Sequence, residues 1–245
     1  MGSQTAREML LRISDIRRES PDINTIRLEF GEEPPFSFRP GQFVIIKADR
    51  WNPRRNRVMP VKRAFSISSS PTETGFIEIA VKRVPTGRLS PWLHDEVKPG
   101  DFLNVKGPEG TFVLNSEDCE TIVFIAGGVG IAPLRSMIRY LVDRKEPVGI
   151  RLFYSARKPA DFSFKQEFDR QAASHPDMLC FYTLTRLDQE AWTGRTGRFD
   201  RRFLEVHLEK NARYYLCGPP AMVREIRQNL KDLGVSESGI AVEMW

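Results

Sequence analysis

Arg63-Ala64-Phe65-Ser66 sets a cation, an aromatic ring and a hydroxyl within four residues; about sixty residues later comes Gly127-Gly128-Val129-Gly130-Ile131-Ala132-Pro133, and later still Cys217-Gly218-Pro219-Pro220. A flavin needs a flat apolar surface for its ring, a hydrogen-bond partner near N5 and a counter-charge for its phosphate. Phe65, Ser66 and Arg63 can supply these in turn. A glycine turn between a strand and a helix lets backbone amides approach a dinucleotide phosphate. In this order the stretches suggest electrons passing from a nicotinamide to a flavin. On an extended strand Arg63 and Phe65 point to one face and Ala64 and Ser66 to the other, so a twist or a strand end is needed for all three groups to reach one ligand.

A second element supports the first. Pro85-Thr86-Gly87-Arg88-Leu89-Ser90-Pro91 leads into a short helix, with Ser90 as N-cap and Pro91 at the first helical position. The amides around Leu89 and Ser90, just after Gly87, would form an anion site at the helix N-terminus; capping alone also explains Ser90. The strand Ile79-Ala80-Val81-Lys82 precedes this turn and would run beside the ring. The glycine cluster at 127–130 is not the G-x-G-x-x-G fingerprint of flavin-free dehydrogenases, and Pro133 suits the first turn of the helix it opens. Cys217-Gly218-Pro219 ends a strand before another helix, the crevice position of open α/β sheets; a buried thiol is the plain alternative.

Two kinds of element must position these groups. From Leu11 to Leu114 short strands are punctuated by Pro and Gly. The stretches 23–30 and 76–82 alternate with a period near two, as one-sided strands do, and turns are expected at 39–41, 99–101 and 107–110. This reads as an antiparallel β-barrel with one helix, in which Trp92, Leu93 and Val97 face inward. After Asn115 apolar strands (122–126, 149–154, 178–185, 213–217, 240–244) alternate with amphipathic helices (132–144, 164–174, 201–208, 221–233), the pattern of a parallel sheet covered on both faces. The expected domains are 6–115 and 116–245. The segment 49–62 reads as a solvated loop between strands, or as a lid or docking surface.

Composition narrows the function. Lys and Arg total 37 against 32 Asp and Glu, a net charge of +5, too small an excess to imply nucleic-acid binding. The charge is local: Lys47, Arg50, Arg54, Arg55, Arg57, Lys62 and Arg63 face the single acid Asp49 within one stretch, which suits an acidic protein partner. Cys119, Cys180 and Cys217 form no CxxC or CxxCH, and His94, His175 and His207 are scattered, so no metal site is expected and any iron–sulfur partner is expected on another chain. The N-terminus lacks a signal-peptide pattern and the longest apolar run, 122–134, is too short and glycine-rich to span a bilayer; a cytoplasmic location is expected.

These motifs are similar to the R-x-[YF]-S and G-x-x-S flavin motifs of the ferredoxin–NADP reductase superfamily, in a pattern nearest the bacterial ferredoxin– and flavodoxin–NADP reductases. Pro40-Gly41-Gln42-Phe43 and Gly107-Pro108-x-Gly110-x-Phe112 match further landmarks, and the resemblance runs from about Leu10 to Trp245. It implies an enzyme that binds FAD rather than FMN in its barrel and NADP or NAD in its α/β domain, and that serves a separate acceptor such as ferredoxin or flavodoxin. A reductase component of an oxygenase, a free-flavin reductase and an electron-transfer subunit are the alternatives. By the same likeness Arg63 binds flavin phosphate, Phe65, where Tyr is commoner, stacks on the ring, and Ser66 bonds near N5. Cys217 lies beside the nicotinamide, Glu243 assists proton delivery, and Trp245 covers the flavin face as a gate. Arg157, Arg186 and Arg195 resemble a basic 2′-phosphate cluster and favour NADPH, with Ser155 and Thr185 beside them among the expected cofactor-binding residues.

Overall fold

In a computed structural model the chain divides into two compact units, one of residues up to Val113 with Arg135–Tyr140, the other of Leu114–Leu134 and Leu141 onward. Residues 6–52, 55–186 and 192–244 are described. The division by packing is not contiguous in sequence, unlike the expected segments 6–115 and 116–245: six residues of a later helix cluster with the first unit.

The first unit contains β1 (Arg7–Ser20), β2 (Ile23–Glu29), β3 (Phe43–Asn52), β4 (Arg57–Ser66), β5 (Phe76–Lys82), α1 (Ser90–Asp95) and β6 (Phe102–Glu109). All pairings are antiparallel, in the order β4-β3-β6-β1-β2-β5. Leu11, Ile26, Leu28, Val44, Ile46, Ile79 and Val81 are among its core residues, with Leu93 of α1 over them and Trp92 and Val97 partly buried beside them. The terminal strands β4 and β5 meet just past β4, at the bridge between Ile67 and Ile79 and the 2.7 Å bond from Ser68 N to the Glu78 carbonyl. Because that bridge is antiparallel, going back along β4 to Arg63 and forward along β5 to Lys82 leads to the same end of the seam between them.

Three expectations change here. Segment 49–62 is not a loop: Asp49–Asn52 pairs with Arg57–Pro60, so β3 and β4 run on as a hairpin. The polar side chains misled because a two-stranded arm has no face that must be apolar. Gly107 to Glu109 continue β6 rather than turning. And β5 is buried on both faces, not one. Glu78, on the face opposite Ile77 and Ile79, is fully buried and accepts from Arg17 (2.5 Å), Arg27 (2.8 Å) and Arg135 (2.8 Å). Arg135 belongs to the helical segment that clusters with this unit, where Ser136 Oγ also donates to the Ser69 carbonyl at 2.6 Å and Arg139 pairs with Glu73 at 2.9 Å.

The second unit contains β7 (Thr121–Gly127), α2 (Ile131–Arg144, apart from Arg135–Tyr140), β8 (Gly149–Ala156), α3 (Lys165–Ser174), β9 (Met178–Leu184), β10 (Arg195–Thr196), α4 (Arg201–Val206), β11 (Ala212–Gly218), α5 (Pro220–Asp232) and β12 (Ile240–Met244). Its sheet is parallel throughout, in the order β10-β9-β8-β7-β11-β12. The unbroken apolar run of β7 is buried along its whole length, as a central parallel strand requires. Val223, Ile226 and Leu230 form the buried stripe of α5, and Asp200 caps α4 by accepting from Phe203 N at 2.9 Å. Among the described residues no helix is long and apolar enough to cross a membrane.

Candidate functional site

In the first unit the site is assembled at the open seam. Phe65 lies opposite Val44 and packs partly on the core, while Ser66 lies opposite Phe43 on the other face, as strand alternation demands. The strand end that the motif required is present, because β4 stops at Ser66. Among the described residues the Ser66 hydroxyl is buried with no hydrogen-bond partner, which leaves it free for a water or a ligand. Arg63 is exposed, and its guanidinium donates to the Lys62 carbonyl at 2.7 Å. Ile79, Ala80 and Val81 are buried along β5, and Lys82 pairs with Asp22 at 3.2 Å.

The turn after β5 is built differently from the expectation. Gly87 N donates to the Val84 carbonyl at 2.8 Å and closes the turn. Leu89, not Ser90, is the N-cap of α1, and Ser90 Oγ instead accepts from Val84 N at 3.2 Å. With only six residues α1 brings a small dipole, so the expected anion site at its N-terminus has little to draw on. The sequence reading passed over Arg88. Its Nη1 is buried without a partner, and only its place inside G-x-x-S hinted at a role.

In the second unit the chain runs from β7 to β8 on one side and reaches β11 on the other, so the crevice between β7 and β11 is the point where the winding reverses. Ligands of open α/β sheets bind there, at the carboxyl ends of the strands. Both glycine stretches meet at that crevice. Gly128, with φ of +55°, opens a single 3₁₀ turn over Gly128–Gly130 before α2, and Pro133 sits in the first turn of that helix. A side chain at Gly130 would place its Cβ 2.3 Å from the Cys217 carbonyl oxygen, so only glycine lets the two backbones touch. Gly218 ends β11 and Pro219 is the N-cap of α5.

Cys217 is fully buried, in register with Ala126 on one side and Glu243 on the other. One carboxylate oxygen of Glu243 is buried with no partner among the described residues, and burial pushes its pKa up to about 7. Such a group can give or take a proton near neutrality. Trp245 lies outside the described residues. At the adjacent ends of β8 and β9, Thr185 donates from both N and Oγ1 to the Ala156 carbonyl (2.9 and 3.1 Å), which brings exposed Arg157 and Arg186 to neighbouring positions. Ser155 Oγ turns inward to the Ala126 carbonyl at 3.3 Å. Arg195 is occupied: its guanidinium lies 4.6 Å from the Phe203 ring and 3.6 Å from Asp200. It lines a cavity of about 560 Å³ with Lys165, Cys180, Tyr182 and Trp192. That cavity flanks the middle of β9 and not the carboxyl ends where the glycine turns lie.

The residues present thus fit a flavin at the seam and a dinucleotide at the crevice. Comparison with known proteins agrees with both halves. Residues 10–114 match the model of the oxidoreductase FAD-binding domain, and residues 124–228 that of the oxidoreductase NAD-binding domain. The chain is 32% identical over 234 residues to the glycine betaine monooxygenase reductase subunit of Chromohalobacter salexigens, an alignment covering 93% of this chain but 61% of that protein. Among solved structures it is similar to the Amycolatopsis cytochrome P450 reductase GcoB (TM-score 0.86, 26% identity, 99% of this chain and 71% of that one). It is also similar to the ferredoxin reductase in carbazole 1,9a-dioxygenase (TM-score 0.81, 27% identity, 100% and 71%).

Proposed function

Because the chain belongs to the FAD- and NAD-binding oxidoreductases of the ferredoxin–NADP reductase superfamily, we propose that it is the reductase component of an oxygenase, taking electrons from NAD(P)H and passing them to a separate acceptor. The observation that carries this reading is the likeness to a monooxygenase reductase subunit, a P450 reductase and the reductase in a dioxygenase. It displaces a ferredoxin– or flavodoxin–NADP reductase as the first choice. A bound FAD would supply the redox chemistry, accepting a hydride and releasing electrons one at a time.

The chain's own residues bind and orient. Arg63 holds phosphate, the open side of Phe65 supports the ring, and Ser66 donates its unused hydroxyl at the ring edge. Amides of Gly128–Gly130 meet the nucleotide phosphates, and Arg157 with Arg186 favours NADPH through its 2′-phosphate. Cys217 flanks the nicotinamide, and Glu243 holds a proton beside it. The acceptor presents an acidic face, for the β3–β4 hairpin exposes Arg55, Arg57 and Lys62 around the exposed cross-strand pair Trp51 and Val58.

An anaerobic titration of the flavin-loaded protein with NADPH and NADH tests the reading. Loss of the oxidised flavin absorbance with either nucleotide supports it, and NADPH acting at lower concentration supports the two arginines. A flavin that stays oxidised with both would overturn it.

A further inference from the structure

We propose that Tyr154 is a positioning residue for the dinucleotide turn, its buried hydroxyl fixing the peptide between Gly128 and Val129 so that the Val129 N–H faces the nucleotide phosphates; this rests on the nicotinamide-nucleotide reading above. Glycine makes the turn possible and also makes it loose. With no Cβ, Gly128 takes its φ of +55°, and the same freedom lets the peptide that follows it swing over. A donor that can turn away holds an anion less well than one already in place, because binding must then also order it. A group outside the turn has to supply that order.

Tyr154 supplies it from the neighbouring strand. It lies on β8 in register with Ala126 of β7, two residues before the turn, and is fully buried. Its hydroxyl donates to the Gly128 carbonyl at 3.3 Å, and the backbone N–H of Ser163 donates to the same hydroxyl at 3.2 Å. Ser163 is itself fully buried, in the connection between β8 and α3, so the hydroxyl bridges the turn to a second fixed segment. The N–H of Ile131, at the start of α2, also donates to the Gly128 carbonyl. Two donors thus hold that oxygen on the side of β8 and α2. In a planar trans peptide the C=O and the following N–H point in opposite directions. The Val129 N–H therefore points away from Tyr154 and β8, toward the β11 side of β7, where the crevice lies. Burial alone asks only that a tyrosine hydroxyl find some partner; here the partner is the carbonyl whose own peptide carries a phosphate-facing amide.

The test is steady-state kinetics of the flavin-loaded protein with NADPH and with NADH, ferricyanide as acceptor, for wild type and Y154F. The expected result is a KM raised roughly 2- to 10-fold, the size of one lost neutral hydrogen bond. Both nucleotides carry the pyrophosphate, so the factor is the same for both, with kcat and FAD content held. R157A with R186A moves NADPH alone, which separates the two roles. A KM unchanged in Y154F, or changed for one nucleotide only, overturns the role of Tyr154, and so does a matching loss of kcat and flavin, the mark of a merely structural residue. If Y154F does not fold, amide NMR of wild type carrying isotope-labelled valine decides. The Val129 signal, assigned by its absence from V129I, should shift when the oxidised form of the nucleotide that reduces the flavin is added; an unmoved signal overturns the orientation assigned to that amide. Wild-type flavin that stays oxidised with both nucleotides overturns the nucleotide reading itself, whatever Y154F does.

Discussion

Glu78 and Glu243 sit in different units and meet the loss of water in opposite ways. For Glu78 burial alone would raise the pKa, but Arg135, then Arg17 and Arg27, outweigh it and hold the carboxyl down at about 2. For Glu243 burial acts with nothing against it, and the pKa rises to about 7. The first carboxylate is a permanent anion that organises three cations; the second is an acid poised to change state. A barrel can afford an ion network because its charges find each other within the fold. Near the end of β12, by contrast, the buried Glu243 carboxylate meets no cation among the described residues.

The strongest way to break this contrast is E78Q. The substitution takes from buried Arg135 the carboxylate 2.8 Å away and from Arg17 and Arg27 their shared anion, and we expect a loss of about 3 to 5 kcal/mol in urea unfolding. The pH dependence follows from the sign: a pKa lowered from 4.5 to about 2 gives stability that is complete above pH 4.5 and lost as pH falls toward 2. E78Q should lack that acid slope; an unfolding curve like that of wild type would make the network ornamental.

The second test moves the comparison to arginines. Arg157 and Arg186 are exposed, whereas Arg195 is spent on Asp200 and Phe203. R157A with R186A should raise KM for NADPH roughly 10- to 100-fold with little change for NADH, and R195A should do less. Equal effects of the three on both nucleotides would erase the distinction. Smaller still is E243Q. A folded pKa raised from 4.5 to about 7 makes ionisation costly, so stability falls as pH rises through that window and is flat above it. The glutamine variant should lose this slope and also any inflection near pH 7 in the rate of flavin reduction. Least is expected at the hairpin: R55E with R57E should slow reduction of an acidic protein acceptor about two- to fivefold at low salt, with the difference closing as salt rises, while ferricyanide reduction stays unchanged.

The second unit was legible almost strand by strand, because unbroken apolar runs and helical stripes report burial directly: the strand expected at 240–244 is β12 itself. The barrel was less so. Alternation in 76–82 suggested one wet face, but period two cannot reveal a carboxylate whose partners lie on β1, β2 and a helix some sixty residues on. Ser90 had the composition of an N-cap, yet a backbone donor at Val84 competes for its hydroxyl and wins. Arg88 was invisible for a related reason, since whether a cation is paired depends on which acids the fold has already assigned elsewhere.

The seam between β4 and β5 has a consequence for the life of the chain before it works. Each of these strands pairs along one edge, and among the described residues their facing edges meet only near the Ile67–Ile79 bridge and the Ser68 to Glu78 bond. Open strand edges recruit other chains. A ligand lying along the seam would shield them and would raise the melting point in proportion to the logarithm of its concentration. A chain that meets such a ligand during synthesis would then expose less of these edges than one left empty.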